Sequence, residues 1–171
     1  MDSESQRKIF ENSFKKLSEP IFRHCYFRLY DRERALEITQ EVFTKTWDYL
    51  YSGKTIQNLQ AFIYKTANNL ILNELSRRRI HASLDNNDEE EWDPPSNENI
   101  ERDLEIKEDR EDVLKKLKTI HKSYREVIYM RYIDELSVKE IADILQDTEN
   151  NISVKIHRGL EKLKEIYKNH E

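Results

Sequence analysis

Apolar residues recur at helical spacing through most of this chain, with one long interruption. Ile9, Phe10, Phe14, Leu17, Ile21 and Phe22 fall three and four positions apart, the period of one helix face, and predict a helix over roughly residues 7–30. Asp31 follows with the short acceptor side chain of an N-cap. The next helix is expected from Arg32 to about Leu50, with Leu36, Phe43, Trp47 and Leu50 as its apolar stripe. Residues 51–58, YSGKTIQN, form a polar loop around Gly53. Asn58 is placed to cap a third helix whose stripe is Leu59, Phe62, Ile63, Thr66 and Leu70, and which runs into Ser76-Arg77-Arg78-Arg79.

Residues 81–105 break the period. The run DNNDEEEWDPPSNEN pairs two prolines with dense acid and the single aromatic Trp92, so it buries little and reads as a flexible linker. From about Glu108 the period returns through Val113, Leu114, Leu117 and Ile120, then through Tyr124, Val127, Ile128 and Tyr132 on a further helix. Ser137-Val138-Lys139-Glu140 is a capping box, in which serine and glutamate satisfy each other's backbone amides. It opens a short helix with Val138, Ile141, Ala142 and Leu145 on its apolar side. Gln146-Asp147 makes a turn, and Thr148 caps a last helix that buries Ile152, Ile156, Leu160 and Leu163. Its other face carries Asn151, Val154, Lys155, Arg158 and Lys162. The expected fold is all-α, with two small helical domains at residues 1–80 and 108–171 joined by an acidic linker at 81–107.

Composition sharpens this. Only two glycines and three prolines punctuate 171 residues, which disfavours an all-β chain rich in turns. The single cysteine, Cys25, has no partner for an intramolecular disulfide or a zinc knuckle. The amino-terminal MDSESQRKIF is acidic without an apolar run, unlike a signal peptide. No stretch approaches the ~18 apolar residues of a membrane span, so a soluble, cytoplasmic protein is expected. Net charge is −5, which opposes nucleic-acid binding until its distribution is considered. Residues 1–80 carry +4, residues 81–112 carry −11 and residues 113–171 carry +2. The acidic surplus lies in the middle, leaving both flanks able to present basic faces to a polyanion.

A short capped helix, a tight turn and a second helix with a polar, basic outer face make a helix-turn-helix. The second helix of such a unit fits the major groove, where Asn reads adenine, Arg and Lys read guanine or hold phosphate, and Val touches a thymine methyl. An ordinary helical hairpin with a solvated face is the plain alternative.

Two separate stretches resemble one family, the sigma factors of the sigma-70 class, extracytoplasmic-function group. RYIDELSVKEIADIL…NISVKIHRGLEKLKE is similar to its region 4.2, ALEITQEVFTKTWDYL to region 2.2, and AFIYKTANNLILNELSRRR to regions 2.3 to 2.4. The resemblance implies a protein that binds core RNA polymerase, directs it to promoters and assists DNA opening. It implies that Glu37, Gln40, Glu41, Phe43 and Trp47 dock on the β′ clamp helices, with the two rings serving equally as core. It places Lys65, Asn69 and Asn73 in minus-10 reading, with Arg77, Arg78 and Arg79 on phosphate. The loop at 51–58 matches in position one that holds a flipped base, for which Tyr51 or Tyr64 offers a stacking face. Asn151, Ser153, Val154, Lys155, His157 and Arg158 are assigned to the minus-35 element, and the β flap is implied as a second polymerase contact.

The chain also departs from the family. Gln146-Asp147 stands where the turn usually holds glycine and an apolar residue. Asn151 replaces a common threonine, Ser153 a common basic residue, and Phe62 the tryptophan of region 2.4. The linker matches the family's connector, and as a polyanion it is expected to screen the basic faces of the free protein. Promoter DNA and core polymerase are the expected partners, and the family leaves room for an anti-sigma protein. No cofactor or metal is implied. A regulator that does not recruit polymerase is the nearest rival. An enzyme is not expected: His24, His81, His121, His157 and His170 form no His-x-x-x-His pair, and no phosphate loop or nucleophile elbow is present.

Overall fold

The computed structural model describes residues 3–85 and 115–168, which are helical apart from their connections and contain no strand. The chain divides into two compact units, Met1–Pro95 and Ser96–Glu171. Of the linker expected at 81–107, residues 81–85 continue the third helix of the first unit, and the rest, with Trp92, lies outside the described residues, as do Val113 and Leu114.

The first unit is built on three helices, α1 (Ser3–Leu29), α2 (Arg32–Tyr51) and α3 (Leu59–Asp85), each packed on the other two. Leu17, Ile21, Cys25 and Leu29 lie four apart on α1 and are all buried. Tyr30 turns into the left-handed region at φ 51° and ends the helix. Asp31 then caps α2, accepting from the amide of Arg34 at 3.0 Å. Asn58 caps α3 as expected, accepting from the amide of Ala61 at 3.0 Å.

The buried face of α2 differs from the predicted stripe. It consists of Ala35, Ile38, Thr39, Val42, Phe43, Thr46 and Leu50, while Leu36 is 42% exposed. Two threonines were the hidden part of this face. Thr39 Oγ1 donates to the Ala35 carbonyl at 2.7 Å and Thr46 Oγ1 to the Val42 carbonyl at 2.8 Å. A hydroxyl satisfied by its own helix can be buried at little cost. On α3 the core face is likewise rotated, to Ile63, Tyr64, Ala67 and Ile71. Buried Asn68 on the same face accepts a hydrogen bond from Arg28 of α1.

Glu74 of α3 is 4% exposed and gathers three guanidinium groups. Arg34 of α2 donates at 3.0 Å, Arg77 at 2.8 Å and Arg78 at 2.9 Å. Arg78 also reaches Asp31 at 2.9 Å and the Leu29 carbonyl at 3.3 Å. Glu74 and Arg78 together thus join the end of α1, the start of α2 and the middle of α3. Burial works to raise the Glu74 carboxyl, but hydrogen bonds from Arg78 and Arg34 and the charges of Arg34 and Arg77 outweigh it and hold it below its ordinary value.

The second unit comprises a helical turn at 115–119, α4 (Lys122–Ile128) running into a π turn (Tyr129–Ile133), α5 (Val138–Leu145) and α6 (Glu149–Lys168). The π turn, closed by Asp134 N donating to the Tyr129 carbonyl at 3.0 Å, advances the helix phase by one residue. Tyr129 and Met130 are consequently buried, and Tyr132, expected in the core, is 56% exposed. Ile128 of α4 packs so tightly on α6 that a Cβ at Gly159 would lie 2.7 Å from Ile128 Cδ1 and 3.1 Å from Tyr124 Cβ. Gly159 therefore occupies the inward position on that turn of α6, and Leu160 is 39% exposed rather than core.

Candidate functional site

The capping box is formed. Glu140 N donates to Ser137 Oγ at 3.2 Å, and Ser137 N donates to Glu140 Oε2 at 2.9 Å. Helix α5 ends at Gln146, a non-glycine residue in the left-handed region with φ 55° and ψ 44°. Asp147 N donates to the Ala142 carbonyl at 3.0 Å, and Thr148 Oγ1 accepts from the amide of Asn151 at 3.2 Å. The turn is therefore closed by a backbone bond on the α5 side and by a side-chain cap on the α6 side. With Ile141, Ala142 and Ile144 buried on α5 and Ile152, Ile156, Gly159 and Leu163 on α6, the two helices form one packed corner.

That packing turns the other side of α6 outward. Asn151, Ser153, Val154, His157 and Arg158 are exposed and Lys155 is half-buried. Ser153 and His157, at the margins of the face by sequence, are as open as the rest, and His157 Nε2 lies 3.4 Å from Glu161. Asp147, read from sequence only as a turn residue, ties together two residues of this surface. Its carboxylate accepts from Thr148 N at 2.8 Å, Asn151 Nδ2 at 2.9 Å and Lys155 Nζ at 2.7 Å. Those bonds, the one from Lys155 foremost, lower its pKa to about 2. The departure from an apolar residue at this position was visible in the sequence; its reach over two helical turns was not.

In the first unit, Lys65, Asn69, Asn73 and Arg77 follow one another four residues apart along α3. Asn69, Asn73, Arg77 and Arg79 are exposed and Lys65 is half-buried. Arg78 does not join them, since its guanidinium is committed to Glu74, Asp31 and the end of α1. The stacking role expected for Tyr64 does not fit either, because the ring is buried and meets His24 edge to face at 5.2 Å. Tyr51 is exposed beside the loop, its ring stacked 6.0 Å from Trp47. Leu72 and Ile80, exposed apolar residues on the same helix, were not anticipated.

On α2, Glu37 and Gln40 are exposed and Glu41 is half-buried. Glu37 pairs with Arg34 at 2.7 Å and Glu41 with Lys45 at 3.5 Å. Phe43 is 3% exposed, its ring 4.9 Å from that of Phe14, so it is core and presents nothing to a partner. Trp47 is half-buried against Phe10 at 5.1 Å. Leu36, displaced from the core, sits among the exposed polar residues of this face.

Among the described residues no helix is long and apolar enough to cross a membrane, and no group of three or more His, Cys, Asp or Glu residues is arranged to hold a metal ion.

Residues 110–163 match the family described as Sigma-70, region 4. The chain is 28% identical over 153 residues, 85% of its length and 82% of the relative's, to ECF RNA polymerase sigma factor SigW of Bacillus subtilis (strain 168). It is 25% identical over 163 residues to RNA polymerase sigma factor YlaC of the same organism, covering 92% of this chain and 91% of that one. Among solved structures, the sigma factor RpoE in complex with the anti-sigma factor NepR from Bartonella quintana aligns with a TM-score of 0.70 at 18% identity, over 94% of this chain and 98% of that one. CnrH in complex with the cytosolic domain of CnrY aligns with a TM-score of 0.67 at 16% identity, over 96% and 91%.

Proposed function

We propose that the chain works as a member of the extracytoplasmic-function group of the sigma-70 family, and that its surfaces divide the work of directing RNA polymerase to promoters. The first unit docks on core polymerase through the outer face of α2, with Glu37, Gln40 and Glu41 as polar contacts to the β′ clamp helices and Leu36 as an apolar one. Residues Lys65, Asn69, Asn73, Arg77 and Arg79 of α3 face promoter DNA at the minus-10 element. The exposed loop at 52–58 takes a base released from the duplex, whose unstacking costs a few kcal/mol. The second unit lays α6 in the major groove at the minus-35 element, near the β flap.

The observation that carries this reading is the outward row on α6 from Asn151 to Arg158, held rigid by a capped helix-turn-helix. Donors and acceptors on the first turns of such a helix reach base edges, and its cations reach phosphates. A regulator acting without polymerase is disfavoured by likeness to whole sigma factors along 85% of the chain. Two of the solved relatives were captured with a protein partner, which supports an anti-sigma protein as a partner here too.

Run-off transcription tests the assignment. Core polymerase supplied with this protein is expected to give discrete starts on fragments of the source genome, absent with core alone. Glu37→Lys is expected to reduce retention of core polymerase on the immobilised protein by about tenfold, one lost charge-assisted contact being worth roughly 1.4 kcal/mol. Absence of specific starts with folded protein would overturn the assignment.

A further inference from the structure

Asp147 is a carboxylate at the head of a helix whose neighbouring face is otherwise suited to a polyanion. It stands within hydrogen-bond distance of two of the residues that face would use. An ionised carboxylate only accepts hydrogen bonds, so the amide of Asn151 must turn its NH2 group toward Asp147. Its carbonyl oxygen, Oδ1, and the second N–H of the same NH2 group are then left unused by Asp147, an acceptor beside one donor. Lys155, two turns along α6, is drawn back to the same carboxylate at 2.7 Å, and its charge is compensated within the protein.

We propose that Asp147 is a specificity-determining residue of the DNA-reading surface: it fixes the amide of Asn151 so that its carbonyl oxygen is available to a base edge, and this surface favours a base that offers an amino donor in the major groove, adenine or cytosine, over guanine. The inference rests on α6 lying in the major groove, as proposed above. The chemistry of the groove supplies the selectivity. Adenine N6 and cytosine N4 are donors, whereas guanine offers O6 and N7, both acceptors. Asn151 Oδ1 accepts from the amino group of the first pair, whereas against guanine it meets O6 or N7 with repulsion and only the second N–H of Asn151 is left to donate. The same contact limits the non-specific share of binding, because a lysine already paired with a carboxylate releases fewer counterions from DNA.

The experiment uses holoenzyme reconstituted from the full chain and core polymerase, with a library of promoter duplexes randomised across the minus-35 segment. Wild-type holoenzyme is expected to enrich members in which one position on the contacted strand is restricted to adenine or cytosine. Asp147→Ala is expected to raise guanine-bearing members at that position by about tenfold relative to wild type. It should also steepen the plot of log affinity against log salt by about 0.9, as Lys155 turns to a phosphate. Asp147→Asn retains an acceptor for the Thr148 amide and carries the test if the alanine variant is poorly folded; the steeper salt dependence is expected from it as well. Adding Lys155→Ala to either variant should return the slope to the wild-type value. The proposal is overturned if the folded variants enrich the same bases with the same salt slope as wild type. A wild-type holoenzyme that shows no preference anywhere in the randomised segment overturns it differently, by removing α6 from the groove.

Discussion

Each unit contains a carboxylate that gathers cationic side chains, and the two are used in opposite ways. Glu74 is enclosed by three helices, and its arginines come from α2 and from its own helix. Asp147 lies at the surface, and its partners are drawn from the first two turns of the helix it precedes. Water is largely excluded at the first site, so the pairs there are weakly screened and losing one member strands a charge. The second remains in contact with solvent, where an ion pair adds little to stability but still decides where two side chains point. The same chemistry organises a core in one place and a reading surface in the other, and depth is the variable that separates them.

The strongest way to break that comparison is at Glu74. Glu74→Ala leaves Arg34 with only Glu37 and Arg78 with only Asp31 as carboxylate partners, and is expected to lower stability by about 2–4 kcal/mol, the upper end reduced because both guanidinium groups keep that second partner and some solvent; urea unfolding measures it. The loss has a pH signature. Because the folded carboxyl lies below its ordinary value of 4.5, its stabilisation is present above that pH and disappears as pH falls through the lowered folded value. Glu74→Gln should flatten that part of the acid limb, and an unchanged limb would show that other carboxylates drive acid unfolding. Arg78→Ala belongs with this effect and should destabilise the first unit, whereas Arg79→Ala should leave stability unchanged and weaken DNA binding.

Next in size is Gly159→Val. The added methyl groups meet Ile128 and Tyr124, and overpacking of this kind costs about 1–3 kcal/mol, readable as a lower thermal midpoint. Ile128→Ala in the same chain should recover part of the loss; no recovery would place the strain elsewhere. The smallest expected effect has the opposite sign. Gln146 sits at φ 55°, where glycine is free of the Cβ penalty, so Gln146→Gly should stabilise the turn by about 0.5–1 kcal/mol. Because it leaves Asp147 in place, its base preference should match wild type, which separates turn stability from the reading of bases.

The sequence by itself determined the elements that are closed by local chemistry. Asp31, Asn58, Ser137 with Glu140, and Thr148 are caps whose side chains bond amides within three residues, so the necessary partners are always nearby in the chain. Spacing alone also identified the outward row of α6, because Ile152 and Ile156 commit its opposite side to the core. Tertiary structure decided what depends on neighbours distant in sequence. Leu36 and Leu160 are apolar yet exposed, since Thr39, Thr46 and Gly159 fit the available space better. Tyr132 lost its predicted place to a π turn that no local pattern announced. Arg78 and Arg79 are identical neighbours, but only Arg78 lies on the side of α3 that meets Glu74 and Asp31, about 100° around the helix from the next residue. Asp147 likewise became more than a turn residue only when α6 wound Lys155 back beside it.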